Sequence, residues 1–219
     1  MARTTRVGLI ADTHVGEYLT SLPTSVLEAL EGCDLILHAG DHSDLSVVEL
    51  LDTIAPVVAV RGDHDRGPTA DLPEIAGVRV AGHRIAILHG NRFKPIDWSV
   101  VATHLAARRA LAWRAGLHRY LLARTGPVDA VIYGHWHQPA AERVGSTLLC
   151  SPGAVCPMGS LEGGRPPGDG LTGVIDRAVG RYRRQLGADA TRPQVAIMEI
   201  GSGGIRPRQV ILDTPALSA

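Results

Sequence analysis

The 219-residue sequence is poor in cysteine and has no excess of either charge. Its three cysteines form an odd number without a CxxC spacing, which argues against a disulfide framework and against a thiolate zinc site. Lys and Arg together number 22, and so do Asp and Glu, so the formal net charge is zero. Nothing in the overall charge therefore favours a nucleic acid or a membrane surface as a partner.

Long apolar runs are also absent, since none approaches the length needed to span a bilayer. Residues 1–6 lead directly into a predicted strand and lack the pattern of a signal peptide, so we expect a soluble, cytoplasmic protein. The hydrophobic fraction of 45% and charged fraction of 20% are typical of a globular chain.

Short β-branched runs alternate with helical patterns, which predicts an α/β layered fold. We predict a single domain over residues 1–219, with helical insertions at about 93–127 and 160–190. Within the first insertion the predicted helix breaks at Ala115-Gly116, and five arginines but no acid follow Asp97. A solvated helix face is the simpler interpretation of these arginines, and a lid over an anionic substrate is the alternative.

Metal-capable side chains follow five predicted strands, at residues 7–10, 34–37, 57–60, 85–88 and 128–133. The carboxyl ends of strands line the functional crevice of layered α/β folds, so these side chains should converge. Burying so many ionisable groups without a cation would cost a great deal of free energy. We therefore predict as metal ligands Asp12, His14, Asp41, Asp63, His89, His135 and His137.

This mixture of carboxylates and imidazoles without a thiolate favours two divalent ions, with manganese first and iron, zinc, nickel or cobalt as alternatives. Asp41 can bridge them through its two oxygens. Two ions roughly 3.5–4 Å apart would clamp a phosphoryl group and generate hydroxide at neutral pH. A lone histidine is more often a packing or surface residue, which is our interpretation of His38, His42, His83, His104 and His118.

Five motifs give the chain a resemblance to the calcineurin-like metallophosphoesterases, and within them to the compact bacterial and archaeal phosphodiesterase branch. That branch also includes the retromer-type scaffold subunits. The resemblance covers residues 6–157 and the last two strands. It implies an α/β fold, a four-layer αββα sandwich of two mixed β-sheets flanked by helices. The motifs, with one further loop typical of the branch, are Asp12-Thr13-His14, Gly40-Asp41, Gly62-Asp63-His64-Asp65, His89-Gly90, Gly134-His135-Trp136-His137 and Ser151-Pro152-Gly153.

The resemblance also implies roles for these residues. The first metal would be held by Asp12, His14, Asp41 and His137, and the second by Asp41, Asp63, His89 and His135. A hydroxide that bridges the metals would attack phosphorus, and His64 would act as the catalytic residue that protonates the leaving oxygen. Asn91 and Arg92 follow His89 directly, so they are candidate substrate-binding residues.

One position departs from the family pattern, because Asp63 stands where the family usually has a neutral asparagine. The extra carboxylate should strengthen metal binding and raise the pKa of the bridging water, while weakening the attraction for an anionic phosphate.

Three functions remain open at this point. The first is a dinuclear-metal phosphoesterase acting on small phosphodiesters or phosphomonoesters. The second is a weak or inactive binding scaffold with the same fold, and the third is a nuclease, which the zero net charge disfavours. The sequence leaves open whether the chain forms a homo-oligomer.

Overall fold

The computed structural model describes residues 4–107, 114–156 and 192–213. In this part of the chain, ten strands and four α-helices form two five-stranded sheets. The strands are β1 (Thr5–Ile10), β2 (Leu35–His38), β3 (Val57–Ala59), β4 (Ile75–Val80), β5 (His83–Leu88), β6 (Ala130–Ile132), β7 (Pro139–Val144), β8 (Thr147–Pro152), β9 (Gln194–Gly201) and β10 (Gly204–Ile211). The helices are α1 (Thr24–Leu30), α2 (Ser46–Asp52), α3 (Lys94–Ala107) and α4 (Arg114–Thr125).

Both sheets are mixed. The first has the order β10-β9-β1-β2-β3, with β1, β2 and β3 parallel and β9 antiparallel to β1. The second has the order β4-β5-β6-β8-β7, with β5, β6 and β8 parallel between two antiparallel edge pairings.

Side chains alternate between the two faces of each strand, so one face of each sheet packs against the other sheet. Leu9 on the first sheet and Ile87 and Ile132 on the second belong to one core cluster between the sheets. On the outer face of the first sheet, Ile10 packs with residues of α1 and α2. Leu121 of α4 packs with residues on the outer face of the second sheet. The result is the predicted four-layer sandwich.

The five predicted strands agree with β1, β2, β3, β5 and β6 to within a few residues, but the predicted helix break is wrong. α4 runs without interruption through Gly116. A glycine costs a helix about 1 kcal/mol relative to alanine. Burial of Leu117 and Leu121 against the second sheet outweighs that cost. The predicted insertion at 160–190 lies outside the described residues.

All three cysteines are buried and free, as the sequence predicts. None of the helices in the described part of the chain is long and apolar enough to cross a membrane.

Candidate metal centre

The structure brings all seven predicted ligands together in the loops that follow β1, β2, β3, β5 and β6. These strands lie in both sheets, so the site forms where neighbouring strand ends of the sandwich meet. We divide it into two groups. The first half is Asp12, His14 and His137, and the second half is Asp63, His89 and His135.

In the first half two imidazoles face each other. His14 Nε2 and His137 Nε2 are 3.4 Å apart, and Asp12 Oδ1 lies 3.6 Å from His137 Nε2. Two nitrogens that are each about 2.0–2.1 Å from one tetrahedral zinc ion lie about 3.3–3.4 Å apart. The spacing therefore fits a cation between the two rings.

In the second half Asp63 contacts both imidazoles. Its Oδ1 lies 3.3 Å from His89 Nε2 and 3.1 Å from His135 Nδ1. His89 donates its other ring proton, from Nδ1, to the carbonyl of Ala39 at 2.7 Å, which fixes the direction in which Nε2 points.

Asp41 lies between the two halves. Its Oδ2 is 3.6 Å from His14 Nε2 and 3.1 Å from His89 Nε2. This is the position that a bridging ligand needs, because one carboxylate approaches an imidazole of each half.

Two observations indicate that these residues fit a cation. Asp63 Oδ1 and His89 Nε2 are buried atoms without a hydrogen-bond partner, although buried polar atoms are normally paired. Asp12 and Asp41 are at most 1% exposed, and carboxylates at such depth require compensation by positive charge. Divalent ions supply both the missing partner and the charge.

The backbone at the ligands is unusual. Five of the seven predicted ligands have positive φ angles, between 48° and 72°, a region that non-glycine residues rarely adopt. They are Asp12, His14, Asp41, His135 and His137. Backbone strain of this kind concentrates at functional sites, because the surrounding structure must hold it in place.

Two glycines make room for the carboxylates. A Cβ at Gly62 would collide with Asp41 Oδ1, and one at Gly134 would lie 3.0 Å from Asp12 Oδ2. The glycines in these two motifs are therefore required by the packing of the ligands themselves.

The first half is electrostatically suited to hold neutral imidazoles. Burial, together with the smaller effect of the nearby His14, lowers the pKa of His137 to about 3. Burial also lowers the pKa of His14, against the attraction of Asp41. Burial raises the pKa of Asp12 to about 7.

In the second half the pKa values of both imidazoles are raised. Burial alone would lower the pKa of His89, but Asp41 and Asp63 raise it well above its usual range. Burial likewise opposes protonation of His135, yet its contacts with Asp63 and Asp97 raise the pKa. Burial would raise the pKa of Asp41, whereas His89 and the neighbouring donors hold it at about 2.

The predicted catalytic residue, His64, lies beside the first half. Its ring centroid is 4.9 Å from that of His14, and its backbone N–H donates to Asp41 Oδ1 at 2.9 Å. Glu17, which the sequence analysis did not single out, contacts both rings. Its oxygens lie 2.9 Å from His64 Nδ1 and 3.2 Å from His14 Nδ1.

Two further carboxylates were not assigned roles from the sequence. Asp65 accepts hydrogen bonds from four backbone N–H groups, of Asp41, His42, Ser43 and Gly62, and so ties the two metal-binding loops together. Asp97 lies 3.3 Å from His135 Nε2. Asp65 belongs to a motif noted in the sequence, but three of its four donors lie 22–24 positions away, and Asp97 lies far from His135 in the sequence, so no local pattern indicates these contacts.

Arg92 and Asn91, the predicted substrate-binding residues, lie beside the second half. Arg92 Nε donates to Asp97 Oδ1 at 2.7 Å, and its side chain is only 8% exposed. The carbonyl of Asn91 accepts a hydrogen bond from Tyr120 at 3.0 Å. Both residues line a cavity next to His89.

The remaining histidines stay apart from these groups. His38 and His42 stack at 3.7 Å between ring centroids, while His83 and His118 lie near acidic side chains. None of these four belongs to a cluster that could hold a metal ion, and the side chain of His104 lies outside the description.

A two-sheet α/β sandwich with carboxylates and imidazoles gathered at its strand ends defines a metal-binding phosphoesterase scaffold. The comparison with family models agrees. The chain belongs to the calcineurin-like phosphoesterase superfamily, whose domain model matches residues 5–166.

Three curated relatives are archaeal. A "probable metallophosphoesterase" of Methanothermobacter thermautotrophicus is 29% identical over 68% of this chain and 76% of its own length. A second "probable metallophosphoesterase", of Methanocaldococcus jannaschii, is 30% identical over 71% of this chain and 72% of its own. A phosphodiesterase of the same organism is 22% identical over 81% of this chain and 96% of its own.

The same fold occurs in vacuolar protein sorting 29 of Cryptosporidium parvum. The two structures superpose with a TM-score of 0.59 at 18% identity, covering 96% of this chain and 99% of that one. At this identity the similarity establishes the fold alone.

Proposed function

We propose that the chain is a dinuclear-metal-dependent phosphoesterase that hydrolyses phosphodiester or phosphomonoester bonds. The observation that carries this proposal is the meeting of two metal-capable groups at Asp41, whose carboxylate approaches His14 on one side and His89 on the other. Two adjacent cation sites are the arrangement that phosphoryl transfer to water uses.

In this proposal the first half with Asp41 holds one ion, and the second half with Asp41 holds the other. When bound, such ions activate water and polarise the phosphoryl oxygens. Manganese is the first candidate, and iron, zinc, nickel or cobalt also suit carboxylate and imidazole ligands.

His64 supplies the proton for the leaving group. Because its Nδ1 is held by Glu17, its second proton is carried by Nε2 when the ring is charged. As the phosphorus–oxygen bond to the alcohol breaks, His64 donates that proton to the departing oxygen. Glu17 accepts the hydrogen bond from Nδ1 and so keeps the ring in one orientation.

Turnover of two model substrates tests the proposal. Purified protein should hydrolyse bis(4-nitrophenyl) phosphate or 4-nitrophenyl phosphate, lose this activity to a chelator and regain it on addition of manganese. The ratio of the two rates also decides between diesterase and monoesterase. No turnover with any of the five metals, in protein that carries about two ions per chain, would contradict the proposal.

The second candidate is a binding scaffold, which the fold similarity to vacuolar protein sorting 29 leaves open. Asp63 adds a third carboxylate to the site, and this lowers the attraction for a phosphate. A protein that binds metal but has no turnover would support this candidate.

A further inference from the structure

A cavity of ≈ 270 Å³ lies beside the second half of the metal centre. The chain segments after β3 and β5 form two of its sides, and α4 contributes Tyr120 and Arg124. His89 lines both this cavity and the metal centre, so a molecule bound here would lie next to the proposed reaction site.

The cavity has an uncompensated positive charge. Arg61 Nη2 lies 2.8 Å from Glu74 Oε1, and Arg124 Nη2 lies 2.9 Å from Glu74 Oε2. Two guanidinium groups thus share a single carboxylate. Both arginine side chains are 40% exposed, so they can also reach a ligand.

Aromatic rings form the other part of the lining. Phe93, the one phenylalanine of the sequence, is 74% exposed at this cavity. Tyr120 is held in place by its hydrogen bond to the carbonyl of Asn91 at 3.0 Å, and the Arg124 guanidinium lies 5.9 Å from the centre of its ring. Large apolar rings are normally buried in the core, so a large ring that is exposed beside a charged cavity is an informative observation.

We propose that this cavity binds a planar aromatic ring that carries a phosphate, as a nucleotide does. Guanidinium groups match the geometry of phosphate oxygens, and the exposed ring of Phe93 offers a stacking surface for an aromatic ring, while Tyr120 holds the Arg124 guanidinium over its own ring. The bound group is the part of the phosphoester substrate that is not hydrolysed. This assignment rests on the proposed function, whereas the binding itself does not.

Calorimetric titration of the full chain with three probes tests the binding. The probes are adenosine 5′-monophosphate, adenosine and inorganic phosphate, each measured with a chelator present so that metal–phosphate contacts do not contribute. Adenosine 5′-monophosphate should bind at least about 10-fold more tightly than either of the other two, because it alone offers both a ring and an anion. Equal binding by phosphate or by adenosine would overturn the proposal.

Three substitutions in the cavity should change the binding of adenosine 5′-monophosphate in different ways. Arg124→Gln should weaken binding of adenosine 5′-monophosphate by about 10-fold or more, the usual effect of losing one charged hydrogen bond. Glu74→Gln should strengthen it several-fold, because the carboxylate that competes for both arginines is gone. Phe93→Ala should remove the preference over phosphate, and it does so at an exposed residue whose loss leaves folding intact.

Arg79→Gln is the matched control, since Arg79 is an exposed arginine of β4 that does not line the cavity. It should leave the affinity unchanged. If the Glu74 bridges only hold α4 in place, Glu74→Gln will lower the melting temperature without strengthening binding, and the proposal is then wrong.

The two proposals can fail separately. Turnover of bis(4-nitrophenyl) phosphate by the metal-loaded protein without binding of adenosine 5′-monophosphate would overturn the assignment of the cavity alone. Binding of the nucleotide without turnover of any aryl phosphate would support the cavity assignment and overturn the proposed function.

Discussion

The two halves of the metal centre contain the same residue types, one aspartate and two histidines, yet the pKa values of their histidines shift in opposite directions. In the first half His14 and His137 face each other, and burial lowers the pKa of both. In the second half His89 has three carboxylates within 3.9 Å, and its pKa rises well above the usual range. Carboxylates lie near rings of both halves, since His14 is close to Asp41 and Glu17 just as His135 is close to Asp63 and Asp97. Burial outweighs their attraction in the first half, and closer carboxylates outweigh burial in the second.

The largest expected effect comes from removing the residue that the halves share. Asp41→Ala should reduce the metal content of the purified protein from about two ions per chain to near zero, because each half loses a ligand and its main compensating charge. Metal analysis of the purified variant measures this. Asp44→Ala, an exposed aspartate in the same loop, is the control and should keep both ions. Full metal content in Asp41→Ala would show that Asp41 bridges nothing.

A second substitution affects chemistry on the side of the first half alone. His64→Ala should keep both ions but lose about 10²–10⁴-fold in turnover of a diester with a poor leaving group, the usual contribution of a general acid. The loss should shrink for 4-nitrophenolate, which departs without a proton. Steady-state kinetics with both leaving groups measures the difference.

Glu17→Gln should show the same dependence on the leaving group with a smaller loss, because His64 remains but its tautomer is no longer fixed. Glu28→Gln, on the exposed face of α1, should change neither rate. Equal losses on both leaving groups would mean that Glu17 acts only on the structure of the site.

Metal binding in the second half can be weakened through a residue that contacts one of its ligands. Asp97→Asn should lower the affinity for the second ion by about 10–100-fold, the usual effect of losing a hydrogen-bond partner of a metal ligand, because Asp97 lies against His135 Nε2. The first ion should bind as before. Stepwise metal titration separates the two affinities, and equal weakening of both would contradict the division into halves.

The difference in pKa predicts a pH difference in metal binding. A bound cation needs a neutral imidazole, so in the second half it must displace the proton of His89, whose pKa is raised. Affinity there should fall by about tenfold per pH unit for each proton displaced as the pH drops below that pKa. In the first half the pKa of His137 is already lowered to about 3, so binding should depend on pH only through Asp12, whose pKa is raised to about 7, and should be insensitive above that pH. Titrations at pH 7, 8 and 9 test this, and parallel curves for both ions would contradict it.

The smallest effect is expected for Asp63→Asn. Losing a carboxylate weakens attraction for the second ion, but it also lowers the pKa of His89 and His135 and so makes their deprotonation easier. These changes partly cancel in the affinity, which should fall only modestly. The acidic limb of the pH–rate profile should move to lower pH, because the pKa values of both histidines and of the bridging water fall when the negative charge is lost. An unchanged limb with unchanged affinity would mean that Asp63 does not contact the ion.

The sequence alone determined the α/β class of the fold and the order in which candidate ligands follow the strands, while the four-layer arrangement was what the resemblance to the calcineurin-like family implied. It did so because strand ends in an α/β sandwich share one edge, so residues such as Asp12 and His135 converge even though 123 positions separate them. The helix break at Ala115-Gly116 was predicted wrongly, since local propensity cannot register the burial of Leu117 and Leu121.

Only the tertiary structure decided which groups support the ligands and how they are charged. Glu17 lies 47 positions from His64, and Asp97 lies 38 from His135, so no local spacing links them. The cavity joins arginines from two distant segments through Glu74. The pKa shifts likewise depend on burial and on the distances to nearby carboxylates, which are properties of packing and not of the order of residues.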